Sequence, residues 1–195
     1  VGFNCIDVHM TDLISARHTL DEFEGLVACG GFSYGDVLGA GGGWANSILF
    51  NKDLRTQFGD FFHNENVFSL GVCNGCQTLS LLKSLIPGAT NWPDFKRNKS
   101  EKFEARLVQV SVKESSSIFF KDMRDSIITV PVAHGEGRVD ASVSDISELN
   151  NNHYTTITYS DDKGSFTEDY PANPNGSLNG IAGVTNKSGT VTIMM

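Results

Sequence analysis

At 195 residues the chain is long enough to bury one sizeable core, and 39% hydrophobic with 10% aromatic content is ordinary for a globular domain. Fifteen Lys and Arg stand against 23 Asp and Glu, a formal charge of −8 with a pI near 5.0, which argues against a nucleic-acid partner and its clustered basic surface. No apolar run reaches the length of a membrane span, and Val1-Gly2-Phe3-Asn4 lacks the basic and apolar regions of a signal peptide, so no membrane partner and a cytoplasmic location are expected.

In chain order, short β-type runs alternate with helix-compatible segments through the first half. Strands are expected at 5–8, 26–29 and 67–72, and helices at 11–20, 41–62 and 76–85, a pattern that predicts an α/β domain with a parallel sheet. The second half is β-rich: 107–112, 127–132, 155–159, 181–184 and 190–194 read as strands, partly antiparallel, with one short helix at 143–149. Loops fall at 87–101 and 170–177. Neither has the length or composition of an interdomain linker, so the whole of 1–195 reads as a single domain.

Four cysteines are too few for a disulfide scaffold. Cys5 and Cys29 lie in apolar strand-like runs and are expected to be small buried hydrophobes. Cys73 is different. In Gly71-Val72-Cys73-Asn74-Gly75-Cys76-Gln77 it sits where an expected strand turns into an expected helix, with glycines two residues before and two after. That is the spacing of a nucleophile elbow with sulfur in place of oxygen. A helix N-terminus favours thiolate and offers N–H donors to an oxyanion, so the string supplies a nucleophile and part of its activation. Cys73 and Cys76 also form C-x-x-C, but no second pair completes a zinc site, and Cys76 lacks glycines at the elbow offsets and reads as packing.

Residues 71–77 resemble the class I (triad) glutamine amidotransferases, and Val72-Cys73-Asn74-Gly75-Cys76-Gln77 resembles the glutaminase domains of phosphoribosylformylglycinamidine synthases in their large fused form. Similar blocks follow one another in order: Ala28-Cys29-Gly30-Gly31-Phe32-Ser33-Tyr34-Gly35-Asp36-Val37-Leu38, Ser47-Ile48-Leu49-Phe50-Asn51, Phe103-Glu104-Ala105-Arg106, His134-Gly135-Glu136-Gly137-Arg138 and Tyr170-Pro171-Ala172-Asn173-Pro174-Asn175-Gly176-Ser177. The resemblance implies a flavodoxin-like open, mostly parallel sheet with flanking helices. It also implies hydrolysis of glutamine by Cys73 through a thioester, with the oxyanion held by the Gly30-Gly31-Phe32 turn and the Asn74 N–H. Ammonia would pass to a synthetase domain of the same polypeptide, where formylglycinamide ribonucleotide becomes the formylglycinamidine. No cofactor is expected in this domain; ATP and magnesium are expected in the synthetase domain. The family's triad His and Glu lie in a His-Pro-Glu segment resembling a continuation of 191–195. Both ends therefore read as cut, lacking the family's first strand and helix and its closing catalytic segment, and the chain alone is expected to be a poor glutaminase.

Other residues keep two readings. His134 with Glu136 could provide a base and its orienting carboxylate, line the glutamine pocket, or bond to backbone. Gln77 could position substrate or simply begin a helix. Arg106 could pair with the substrate carboxylate or with Glu101, Glu104 or Glu136. Residues 30–36 lack the Lys-Ser/Thr of a P-loop, so a backbone donor turn suits them better than a phosphate cradle. Gly41-Gly42-Gly43-Trp44 allows either a flexible approach to a partner domain or a helix start. Another cysteine hydrolase of the same fold and a non-catalytic remnant are the alternative functions.

Overall fold

A computed structural model describes residues 2–32 and 39–195. Nine strands are assigned there: β1 (Gly25–Ala28), β2 (Phe68–Val72), β3 (Asp94–Lys96), β4 (Glu104–Val112), β5 (Ile127–His134), β6 (Arg138–Asp140), β7 (Thr155–Ser160), β8 (Ile181–Thr185) and β9 (Val191–Met194). The helices are α1 (Met10–Ile14), α2 (Gly42–Leu49), α3 (Lys52–His63), α4 (Asn74–Leu81) and α5 (Val143–Asn151).

Seven strands form one sheet in the order β1-β2-β9-β8-β7-β4-β5, and β3 pairs with β6 in a small ribbon. The α/β class with flanking helices is the one the sequence predicts. Parallel pairing lies in β1-β2-β9, while the β8, β7, β4 and β5 pairings are antiparallel, as the β-rich second half leads one to expect. The β9 strand is inserted between β2 and β8, with Leu70 opposite Thr192 and Val72 opposite Met194.

Local chemistry sets the helix bounds. The single helix expected over 41–62 is two, because Asn51 adopts an extended backbone and caps α3, its side chain accepting from the Asp53 and Leu54 N–H groups. From there Leu54, Phe58, Phe61 and Phe62 recur at helical spacing and are all buried. Ser142 caps α5 by accepting from Asp145 N–H. The Gly41–Trp44 stretch is a helix start, with Gly41 as the N-cap of α2.

Three expectations fail here. Residues 5–8 form no strand: among the described residues β1 pairs with β2 alone and the short apolar run has no ladder partner, and Cys5 and Ile6 are exposed. Cys29 lies one residue beyond β1 and is exposed too, so neither cysteine is the buried hydrophobe expected. The expected 11–20 helix shrinks to α1 and a 3-10 turn at Leu20–Glu22, broken by Ala16 at φ 53°. The short β3 and β6 strands carry no alternating pattern long enough to be read from sequence.

The main core gathers α2, α3, α4 and α5 onto one side of the sheet around Ile48, Leu54, Leu79, Leu149, Ile181 and Ile193. A second cluster, Val108, Val110, Val112, Val132, Ile157, Tyr159 and Ala182, fills the β-rich half under Phe120 and Met123. Because strand side chains alternate, Ile193 enters the first cluster and Met194 packs on the second, so β9 joins the two. Ile193→Ala is expected to lower unfolding free energy by about 3 kcal/mol in urea denaturation, as a fully buried side chain removed from the middle of the sheet.

Candidate active site

The elbow forms where β2 ends and α4 begins. Cys73 occupies φ 54°, ψ −113°, outside the regions that non-glycine residues favour, and serves as the N-cap position of α4. Two backbone hydrogen bonds hold it there, and Gly30 packs close beside it. Its N–H donates to Met194 O at 2.9 Å, its carbonyl accepts from Gln77 N–H at 3.1 Å, and a Cβ built on Gly30 would lie 3.2 Å from its Cβ. The flanking glycines are needed for space. A Cβ at Gly71 would meet Gly75 O at 2.7 Å, and one at Gly75 would fall on the Ala28 carbonyl at the end of β1. Only with both side chains absent can α4 start so close to β1 and β2.

The Cys73 thiol is half-buried, whereas Cys76 is fully buried and burial, with a smaller contribution from Cys73, pushes its thiol pKa well up. A dithiol redox pair needs an accessible thiolate; Cys76 in the first turns of α4 packs instead. Beside the elbow, Gly31 takes φ 99° and Phe32 is exposed, so the turn expected to supply oxyanion donors lies against the cysteine through Gly30. The rest of that sequence block, 33–38, is outside the described residues. Asn74, the first residue of α4, is buried.

The remaining sequence candidates are engaged within the fold. Gln77 is buried and its side-chain amide donates to Glu136 O at 2.7 Å. Of the three carboxylates open to Arg106 it pairs with Glu104 at 2.5 Å; it also donates to the Tyr170 hydroxyl at 2.6 Å and stacks its guanidinium 4.7 Å from that ring. His134 and Glu136 are not a pair. The Glu136 carboxylate accepts from the Gly39 and Ala40 N–H groups, while His134 Nε2 lies 3.0 Å from Asn175 Oδ1.

Asn175 donates its Nδ2 to the Tyr159 hydroxyl at 2.7 Å, so its oxygen faces His134 and the histidine carries its proton on Nε2. Tyr159 is fully buried, and burial, with the Cys76 and Cys73 thiols adding to it, raises its pKa well above the usual phenol value. This His134–Asn175–Tyr159 chain was not legible in sequence. Only the membership of His134 and Asn175 in the 134–138 and 170–177 blocks hinted at it, and nothing marked Tyr159. Asn98 completes the packing, donating to His134 O at 2.8 Å and accepting from Gly137 N–H at 3.0 Å. Among the described residues no group of three or more His, Cys, Asp or Glu side chains is placed to hold a metal ion, and no helix is long and apolar enough to cross a membrane.

A strained cysteine between a parallel strand and a helix, on an α/β sheet, is the arrangement of a nucleophile elbow. The chain belongs to the family of CobB/CobQ-like glutamine amidotransferase domains, whose pattern matches residues 1–195. It is similar to PurLQS from Thermotoga maritima, with 26% identity and a TM-score of 0.68 over 91% of this chain and 70% of that one. A second Thermotoga maritima protein, a glutamine amidotransferase, aligns at 16% identity with a TM-score of 0.49 over 91% of this chain and 57% of that one.

Burial lowers the His134 pKa from 6.5 to about 4, the Asn175 hydrogen bond opposing it. Between those values the unfolded chain binds a proton that the folded protein refuses. Stability is therefore expected to fall as pH drops from 6.5 toward 4, by about 3 kcal/mol from this residue, and His134→Gln should flatten that part of a urea-denaturation pH profile. Native alkylation followed by mass mapping is expected to modify Cys5, Cys29 and Cys73 and to spare Cys76 until denaturant is added.

Proposed function

We propose that this domain hydrolyses glutamine at Cys73 and supplies the ammonia to a synthetase domain that makes formylglycinamidine ribonucleotide in purine biosynthesis. The observation that carries the reading is the Cys73 backbone, forced to positive φ at the strand-to-helix turn and backed by Gly30, in a chain of the glutamine amidotransferase family. The similarity to PurLQS supports the choice among that family's members.

In the mechanism, Cys73 Sγ attacks the side-chain amide carbon of glutamine. The negative charge that develops on the carbonyl oxygen is met by the Asn74 N–H at the start of α4 and by the Gly30-Gly31-Phe32 turn, donors set in place before reaction. The C–N bond then breaks, ammonia leaves with a proton from the general base, and a glutamyl thioester remains. Water cleaves the thioester, giving glutamate and regenerating the thiol. His134 is a poor base for this: it is buried, and its Nε2 proton is committed to Asn175. The β9 strand ends beside the elbow, with Met194 O receiving the Cys73 N–H, so in this reading a His-Pro-Glu segment following β9, as the resemblance implies, would supply the base next to the thiol. ATP and magnesium belong, in this reading, to the synthetase domain.

The test is labelling with a glutamine-analogue electrophile such as 6-diazo-5-oxonorleucine, on a chain extended past Met195 by the family's His-Pro-Glu segment. Stoichiometric modification of Cys73, lost in Cys73→Ala and blocked by glutamine, is expected. Modification by general thiol reagents alone would favour another cysteine hydrolase or a remnant. The extended chain is also expected to release ammonia from glutamine at least about 100-fold faster than residues 1–195 alone, because the added His and Glu supply a general base and its orienting carboxylate.

A further inference from the structure

Glu136, in the turn between β5 and β6, stands at a junction of three segments. Its Oε1 accepts from Gly39 N–H at 3.1 Å and its Oε2 from Ala40 N–H at 2.7 Å, so one carboxylate receives two successive backbone donors. Its own carbonyl accepts from the Gln77 side chain at 2.7 Å. The segment it grips leans on the same helix from the other side. Gly41 has φ 81°, and a Cβ there would lie 2.6 Å from Thr78 N and 2.9 Å from the Gln77 carbonyl carbon, closer than any side chain allows. Gln77 in turn donates its N–H to Cys73 O. The first turns of α4 are thus boxed between residues 39–41 and the 134–137 turn, and Glu136, on the second wall, bonds to the first through its carboxylate and to Gln77 of the helix through its carbonyl.

We propose that Glu136 is a positioning residue for glutamine hydrolysis: a carboxylate latch that fixes the first turn of α4, and with it the Asn74 donor and Cys73, in register with the oxyanion. The proposal rests on the glutaminase reading above. Hydrogen bonds from neutral N–H groups to a carboxylate are stronger than those to an amide oxygen, which is a reason for Glu here rather than Gln. Displacing an oxyanion donor by a fraction of an ångström weakens the transition state far more than the bound substrate, so the effect belongs in kcat rather than KM.

Steady-state glutamine hydrolysis in the extended chain tests this, with E136Q, E136D and E136A beside the unsubstituted protein. Melting temperature and amide hydrogen exchange at Gly39 and Ala40 are measured on each. Glu136→Gln leaves one acceptor for two donors and Glu136→Ala none. Both are expected to lower kcat about 10- to 100-fold with KM within about twofold, and Glu136→Asp to recover part of the loss. Protection of the Gly39 and Ala40 amides should fall in step while the melting temperature changes little. Full kcat in E136A overturns the latch alone, as does a loss of kcat that follows the melting temperature with no recovery in E136D. Absence of turnover in the unsubstituted extended chain removes the glutaminase reading, and this proposal with it.

Discussion

Everything at the elbow depends on how closely α4 can approach the ends of β1 and β2. The Ala28 carbonyl occupies the place a side chain at Gly75 would take, and Gly75 O crowds Gly71 in the same way. With that contact made, the first residue of α4 must follow Cys73 at once, and the cysteine backbone is driven to φ 54°. A strained backbone of this kind costs on the order of 1–3 kcal/mol and persists only where the surroundings over-determine it. Here the surroundings are the parallel β1-β2-β9 ladder on one side and the buried face of α4 on the other. The parallel strands bring their carboxyl ends together at one edge, where loops meet in open α/β sheets. The antiparallel half of the sheet contributes from farther away, through the 134–138 turn that reaches Gln77.

Polar residues in this region serve mainly to join segments. Asn98 ties its own loop to the 134–137 turn, Asn175 bonds to both His134 and Tyr159, Asn173 bonds within its own loop, and all three are buried. A buried amide has donors and acceptors to satisfy, so once satisfied it fixes the relative position of the loops it touches. This is the work of the 170–177 loop: Asn173 folds the loop on itself through Ser177, and Asn175 reaches inward to His134 and Tyr159. His134, which chemistry alone would recommend as a base, is held neutral by the same burial that makes it a good support.

Much of this was legible in the sequence. The elbow could be read because its signal is local: two glycines at fixed offsets around a cysteine, an apolar strand before and a helix after. The α/β class and the five long strands of the second half were equally plain from short-range pattern. What escaped was decided by distant partners. Residues 5–8 look like a strand, yet they join no ladder among the described residues, and Cys5 stays in solvent. Arg106 offered three carboxylates, and only the fold selects Glu104. His134 and Glu136 are two apart in sequence, yet they face different partners, His134 reaching Asn175 and Glu136 the Gly39 and Ala40 amides.

The position of β9 has a bearing on how the chain reaches this state. Ser69 and Leu70, early in the sequence, pair with Val191 and Thr192, which are made after the other strands of the described residues. Until they arrive, β2 has an open edge, the Cys73 N–H has no Met194 carbonyl to meet, and the two core clusters are not yet bridged by Ile193 and Met194. Contacts of such sequence separation are slow to form because their loop entropy is lost before their enthalpy is gained. A nascent or clipped chain therefore carries its cysteine on an unfinished strand, and the reactive geometry is withheld until synthesis of the sheet is complete.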